Sequence, residues 1–175
     1  MRVVEHRRHS RREPTGVHLS PAGIALARRV GPSFGRFDRV VASTKPRAIE
    51  TVEALGFPLD ATLPELAVLP DDAGLDVEAE HPRSFEDYVT LTHRHRRMAE
   101  YANGVAALLQ AELERVPDGG RLLMISHAGI IEFGAAAARP SDARTFGATA
   151  DVLEGVRLTL DHGRWVRGEV LRVPA

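Results

Sequence analysis

The chain has 175 residues, 43% hydrophobic and 27% charged, with 15 Gly and 11 Pro, which fits one domain spanning residues 1–175 and excludes a disordered or fibrous polypeptide. Its 23 Lys and Arg against 24 Asp and Glu leave a formal charge of −1, so neither nucleic acid nor a membrane surface is the expected partner, and any basic site must be local. Cysteine is absent, which rules out disulfides, thiolate nucleophiles, cysteine-ligated zinc and iron–sulfur clusters and turns attention to the 8 histidines.

Met1 to Ser10 is too polar for the core of a secretory signal, and no later apolar run is long enough for a bilayer, so the cytoplasm is the expected compartment. Val3 and Val4 predict a short strand within Met1–Arg7. It is an awkward one, because Glu5 and Arg7 share one face and His6 takes the other, more polarity than a central strand normally carries. Ser20 before Pro21 opens a helix with Ala, Ile and Leu at helical spacing through Val30. Phe37 to Ala42 reads as a second strand, ending at Ser43-Thr44. Thr44-Lys45-Pro46-Arg47 then starts a helix that carries Ala48, Ile49, Val52 and Leu55 and stops at Gly56.

A short apolar strand is predicted near Ala61–Leu66, and Leu69–Pro82 reads as loop. Glu86 to Arg115 has long helical periodicity, with Gly104 as the expected point of bending or splitting. After the turn Pro117-Asp118-Gly119-Gly120, the apolar run Arg121–Ser126 has the character of a strand buried on both faces. Gly129 begins a helix that runs into the alanines around Ala137. Val156–Leu160 and Trp165–Leu171 flank Asp161-His162-Gly163-Arg164 as a hairpin. Strands alternating with helices predict an α/β fold: a three-layer α/β/α sandwich on a mostly parallel central sheet. Ligands of such sheets gather at the carboxyl ends of strands, where this sequence puts Arg8-His9-Ser10, Ser43 to Arg47 and Ser126-His127-Ala128-Gly129.

Two histidines and two arginines at three strand ends suit a tetrahedral dianion. Guanidinium groups are always charged and match phosphate oxygens with a fixed fork of donors. A neutral imidazole can attack phosphorus and split one hard displacement into two, and a second one, when protonated, adds charge opposite the equatorial oxygens. A nearby carboxylic acid would protonate the leaving alcohol and then activate water. His6 and His9 do not form a metal pair, because strand side chains alternate in direction. His93 and His95 fail similarly on a helix, and Arg94, Arg96 and Arg97 around them read as a solvated face.

Arg8-His9-Ser10, Leu19-Ser20-Pro21-Ala22-Gly23, Ser43-Thr44-Lys45-Pro46-Arg47-Ala48-Ile49-Glu50-Thr51 and Ser126-His127-Ala128-Gly129 occur in the order of the histidine phosphatase superfamily, the phosphoglycerate mutase-like proteins, which the chain resembles over most of its length. The resemblance implies that His9 is the phospho-accepting nucleophile, that Arg8 and Arg47 bind phosphate, and that His127 is the second histidine of the pocket. Leu63-Pro64-Glu65 is similar to the family's Leu-x-Glu, which makes Glu65 the implied acid, with Asp71 and Asp72 as alternatives. No metal and no other cofactor is implied. The family's Arg-His-Gly is Arg-His-Ser here, so Ser10 either reshapes the pocket or donates a hydrogen bond. Arg11 and Arg12 add charge beyond His9, as for a strongly anionic substrate.

The expected activity is hydrolysis of a phosphate monoester, on a small phosphorylated compound or a phosphoprotein, through phosphohistidine at His9. A mutase-type phosphoryl transferase and a noncatalytic phospholigand-binding domain are the alternatives. The large insertions of the mutases are missing, which favours a phosphatase. The sequence names neither the substrate nor an oligomeric state.

Overall fold

The computed structural model describes residues 1–69 and 82–173. Its strands are β1 (Arg2–Arg8), β2 (Arg39–Ser43), β3 (Ala61–Leu63), β4 (Arg121–Ser126), β5 (Gly155–Asp161) and β6 (Arg164–Leu171). Its helices are α1 (Pro21–Val30), α2 (Pro46–Leu55), α3 (Phe85–Arg94), α4 (Arg96–Glu114), α5 (Ile130–Ala138) and α6 (Ala143–Phe146). One six-stranded sheet has the order β3-β2-β4-β1-β5-β6. The first four of these strands run parallel, and the β5–β6 hairpin adds an antiparallel edge.

Strand alternation divides the core between two faces. Val41, Leu122 and Met124 pack with Val105, Leu109, Ile130 and Ile131 beneath α4 and α5. Val40, Ala42, Leu123 and Ile125 pack with Ala27, Ala48 and Val52 beneath α1 and α2. The fold is therefore the three-layer α/β/α sandwich that the alternation of elements predicts.

The polar first strand is central, between β4 and β5, and its buried charges Glu5 and Arg7 are answered there. Glu5, fully buried, accepts from Arg7 at 2.9 Å, Arg121 at 2.7 Å and Arg157 at 2.8 Å. Its carboxyl is lowered below the usual range despite a large opposing effect of burial, because these cations face it. On the other face, His6 Nε2 pairs with Ser126 Oγ at 2.6 Å. Burial alone drives the His6 imidazole down to about 3, so it is neutral at physiological pH.

The long helix is interrupted at His95 and not at Gly104, which lies inside α4. His95 is extended, with φ −127° and ψ 111°, and both ends α3 and starts α4. The break lets Tyr88 and Leu91 of α3 and Met98 and Ala102 of α4 close around Phe133 of α5, which one straight rod could not do. Ser84 and Asp87 cap the start of α3 reciprocally. The hairpin turn puts His162 at φ 46° and Gly163 at φ 75°, the sense of rotation that matches strand twist. Helix α6 and the single turn Pro140–Asp142 that precedes it are too short to leave a periodic signal in the sequence. His93, Arg94, Arg96 and Arg97 are exposed on the α3–α4 corner. No helix of the described residues is long and apolar enough to cross a membrane.

Candidate active site

Three strand ends converge. His9 follows β1, and its backbone N–H donates to the Ser126 carbonyl at the end of β4, 2.9 Å away. His127 follows Ser126 directly, and the two imidazole centroids lie 5.1 Å apart. From the end of β2, α2 delivers Arg47, whose Nε donates to His9 Nε2 at 3.1 Å. Arg8 closes β1 opposite Ser126 in the parallel register. The structure thus gathers His9, His127, Arg8 and Arg47 at the carboxyl end of the sheet.

The proton positions on both rings follow from their partners. His9 Nδ1 lies 2.6 Å from the Ser10 carbonyl, which can only accept, so Nδ1 carries the proton and Nε2 keeps its lone pair. His127 Nε2 lies 2.7 Å from Ser43 Oγ, and that oxygen already accepts from the Lys45 N–H at 3.3 Å. Ser43 is satisfied when its hydroxyl donates to His127 Nε2, which leaves the proton of that ring on Nδ1.

Three buried side-chain nitrogens among the described residues have no hydrogen-bond partner: His6 Nδ1, Arg8 Nε and His127 Nδ1. Two of the three belong to this cluster, and both are donors once the ring protons are placed as above. Unpaired buried donors are costly, and an anion is the kind of ligand that would satisfy each of them.

The electrostatics agree. His9 is lowered to about 4, first by burial and then, against the Ser10 hydrogen bond, by the charges of Arg47, Arg8 and Arg12. His127 is lowered to about 3 by burial, with Arg47 the next cause. Both rings are therefore neutral at physiological pH without a ligand, and a dianion beside His127 would raise it again. Arg47 is lowered by burial and then by the like charges of Arg12 and Arg8. It stands in the first turn of α2, which contains no acidic residue, so side-chain cation and helix N-terminus both favour an anion.

The loop between His9 and α1 is fastened to this framework. Val17 C=O accepts from Arg47 N–H at 3.2 Å, and Glu50 Oε2 accepts from Leu19 N–H at 2.7 Å. Arg12 Nη1 donates to the Pro14 carbonyl at 3.1 Å within the same loop. Ser10 is fully buried: its N–H donates to Thr51 Oγ1 at 3.0 Å and its hydroxyl to the Gly23 carbonyl at 2.7 Å. The hydroxyl is therefore spent on α1 and joins the first motif to the second. Gly23 is needed for this approach, since a Cβ there would lie 2.0 Å from the Arg11 carbonyl oxygen.

Glu65 sits in the single turn Pro64–Leu66 after β3, exposed, beside an apolar cleft lined by Tyr101, Gly104, Val105 and Leu108 of α4. Asp71 and Asp72 lie outside the described residues. Sequence reasoning gave no separate role to Ser43 or Thr51, whose contacts orient His127 and Ser10, and it passed over Glu132. The signal for Glu132 was a lone carboxylate in the apolar helix Ile-Ile-Glu-Phe-Gly-Ala-Ala-Ala-Ala.

The family model of the histidine phosphatase superfamily (branch 1) matches residues 4–168. Among solved structures, the chain is similar to phosphoserine phosphatase from Entamoeba histolytica in complex with 3-phosphoglyceric acid, with TM-score 0.72, 17% identity and coverage of 99% of this chain and 98% of that one. It is also similar to a mycobacterial glucosyl-3-phosphoglycerate phosphatase, with TM-score 0.66, 18% identity and 100% coverage of both chains. The protein histidine phosphatase SixA, complexed with tungstate, matches with TM-score 0.60, 20% identity and coverage of 96% and 93%. No curated protein matches in sequence.

Proposed function

The chain belongs to the histidine phosphatase superfamily, and from that premise we propose that it is a phosphatase that hydrolyses a phosphate monoester through phosphohistidine at His9. The observation that carries this reading is an unprotonated His9 Nε2, held by Arg47, at the strand ends that also bear two buried side-chain nitrogens without partners, Arg8 Nε and His127 Nδ1.

In the first step Arg47 Nε–H turns from His9 Nε2 to a phosphoryl oxygen, and the freed Nε2 attacks phosphorus and forms an N–P bond as the ester P–O bond breaks. The leaving alcohol takes a proton from an acid. Arg8, Arg47 and His127 meet the three equatorial oxygens, where charge is greatest in the transition state. Water then attacks the phosphohistidine, the acid now acting as base, and inorganic phosphate and neutral His9 are regenerated. No metal or other cofactor enters these steps. We assign the acid to Glu65 on its Leu-x-Glu motif, with Asp71 and Asp72 as alternatives. The substrate class is small phosphorylated compounds, as for the phosphoserine and glucosyl-3-phosphoglycerate phosphatases it resembles in fold, or a phosphoprotein, and the compartment we propose is the cytoplasm.

The reading is tested with metal-free protein and an aryl phosphate. Arg47→Ala should lower kcat/KM by roughly 10²–10³, as for loss of one donor to the transition state. Glu65→Gln should slow esters with poor leaving groups most, because those depend on protonation; equal slowing of all esters would move the role to Asp71 or Asp72. Phosphoryl transfer between two hydroxyls without phosphate release would mark a mutase. Phosphate binding with no turnover would mark a noncatalytic domain.

A further inference from the structure

We propose that Glu132 is a positioning residue that holds Arg8 and the His127 turn in the geometry needed to bind the phosphoryl group; this rests on the reading above. Glu132 is fully buried in an otherwise apolar helix, where an unpaired carboxylate would be very costly. Its two oxygens go to two different parts of the site. Oε2 accepts from the Gly129 N–H at 2.7 Å, and Oε1 from the Ala150 N–H at 2.9 Å.

Both contacts lead to a phosphate ligand. Gly129 stands two residues after His127, at φ 84°, and the Glu132 contact fixes that turn at the start of α5. Ala150 presents its carbonyl to Arg8, which donates from Nη1 at 3.1 Å. The same loop grips the Arg8 backbone, since Leu153 N–H donates to the Arg8 carbonyl at 3.1 Å and Arg8 N–H donates to the Glu154 carbonyl at 2.8 Å. With Nη1 held on Ala150, the guanidinium is tethered at one end, which narrows the directions open to the unpartnered Nε donor. One carboxylate thus braces the two donors from two sides, through backbone in each case.

Glu132→Gln keeps the shape but sets an amide N–H₂ against a backbone N–H, so one of the two contacts is lost. Small displacements of positioned groups can cost on the order of 10²-fold. For Glu132→Gln the expected result is a folded protein whose affinity for vanadate and kcat/KM both fall, by about tenfold or more. In an Arg8→Ala background the same substitution should cost markedly less, because part of its effect is already gone.

A ligand-free readout separates this inference from the proposed activity. The Arg8 Nε–H NMR signal should be ordered in wild type and motionally averaged in Glu132→Gln. Wild-type protein that neither binds vanadate nor turns over would end the phosphatase reading, while the Arg8 signal would still decide the role of Glu132. An unchanged Arg8 signal, or losses fully additive with Arg8→Ala in a folded variant, would overturn the positioning role. If Glu132→Gln does not fold, Glu132→Asp, which keeps the carboxyl group on a shorter stem, should show the same loss of Arg8 order.

Discussion

Three features of its surroundings set the state of His9, the nucleophile we propose. The Ser10 carbonyl fixes its tautomer, Arg47 holds its Nε2, and burial among arginines keeps the ring neutral. Its protonation midpoint is expected at about 4, followed by the imidazole NMR shift, with no titration between about pH 5.5 and 8 in the ligand-free protein. A midpoint near 6.5 would mean that the ring is solvated. The motifs singled out His9, Arg8, Arg47 and His127 in the sequence, because residue type and order carry that information, and the fold brings their strand ends together. The destination of the Ser10 hydroxyl was not legible, since it depends on how closely α1 approaches. Ser10→Gly should therefore lose about 1–2 kcal/mol of stability in denaturant titration, from one buried hydrogen bond and added chain entropy, while turnover stays near the wild-type level. A large loss of turnover would place the hydroxyl in the phosphate pocket.

At the scale of elements, the site depends on α1 and α2 meeting the loop after β1. Gly23→Ala forces a Cβ against the Arg11 carbonyl, backbone that cannot yield cheaply, so it should destabilise the fold by several kcal/mol, at or above the upper range of overpacking. A variant with an unchanged unfolding midpoint would contradict the close packing. The periodicity of apolar residues located α1, α2, β2, β4 and the hairpin, because each buries one regular face. It misplaced the break in the long helix, because Gly104 carries a local signal whereas His95 breaks the helix for tertiary reasons, the wrapping of Phe133. It also underrated β1 as a central strand. The partners of Glu5, Arg7 on the same strand but Arg121 and Arg157 far along the chain, come together only in the folded sheet.

For the molecule as a whole, the buried imidazoles set a pH dependence. His6, His9 and His127 fall from 6.5 to about 3, 4 and 3 respectively on folding. Below pH 6.5 the unfolded chain therefore binds protons that the folded one does not, and stability falls as pH drops from about 7 to about 4. Every tenfold loss of proton affinity on folding is worth about 1.4 kcal/mol, so the three histidines together contribute several. Glu5, lowered on folding, works in the same direction, and Glu132, raised by burial, opposes it. Urea unfolding at about pH 7 and about pH 4.5 should show the loss, and a flat profile would mean that the imidazoles are hydrated. A cluster of neutral histidines among arginines is costly to build at acidic pH, and the use we propose for it is nucleophilic attack on a phosphate ester. The most direct test is a rapid quench of metal-free protein with a phosphate-labelled ester, followed by mapping of the label. The expected result is an acid-labile phosphoryl group on His9 that forms and decays at rates consistent with turnover, absent from His9→Ala along with activity; steady turnover by His9→Ala, or label on a different residue, would contradict it.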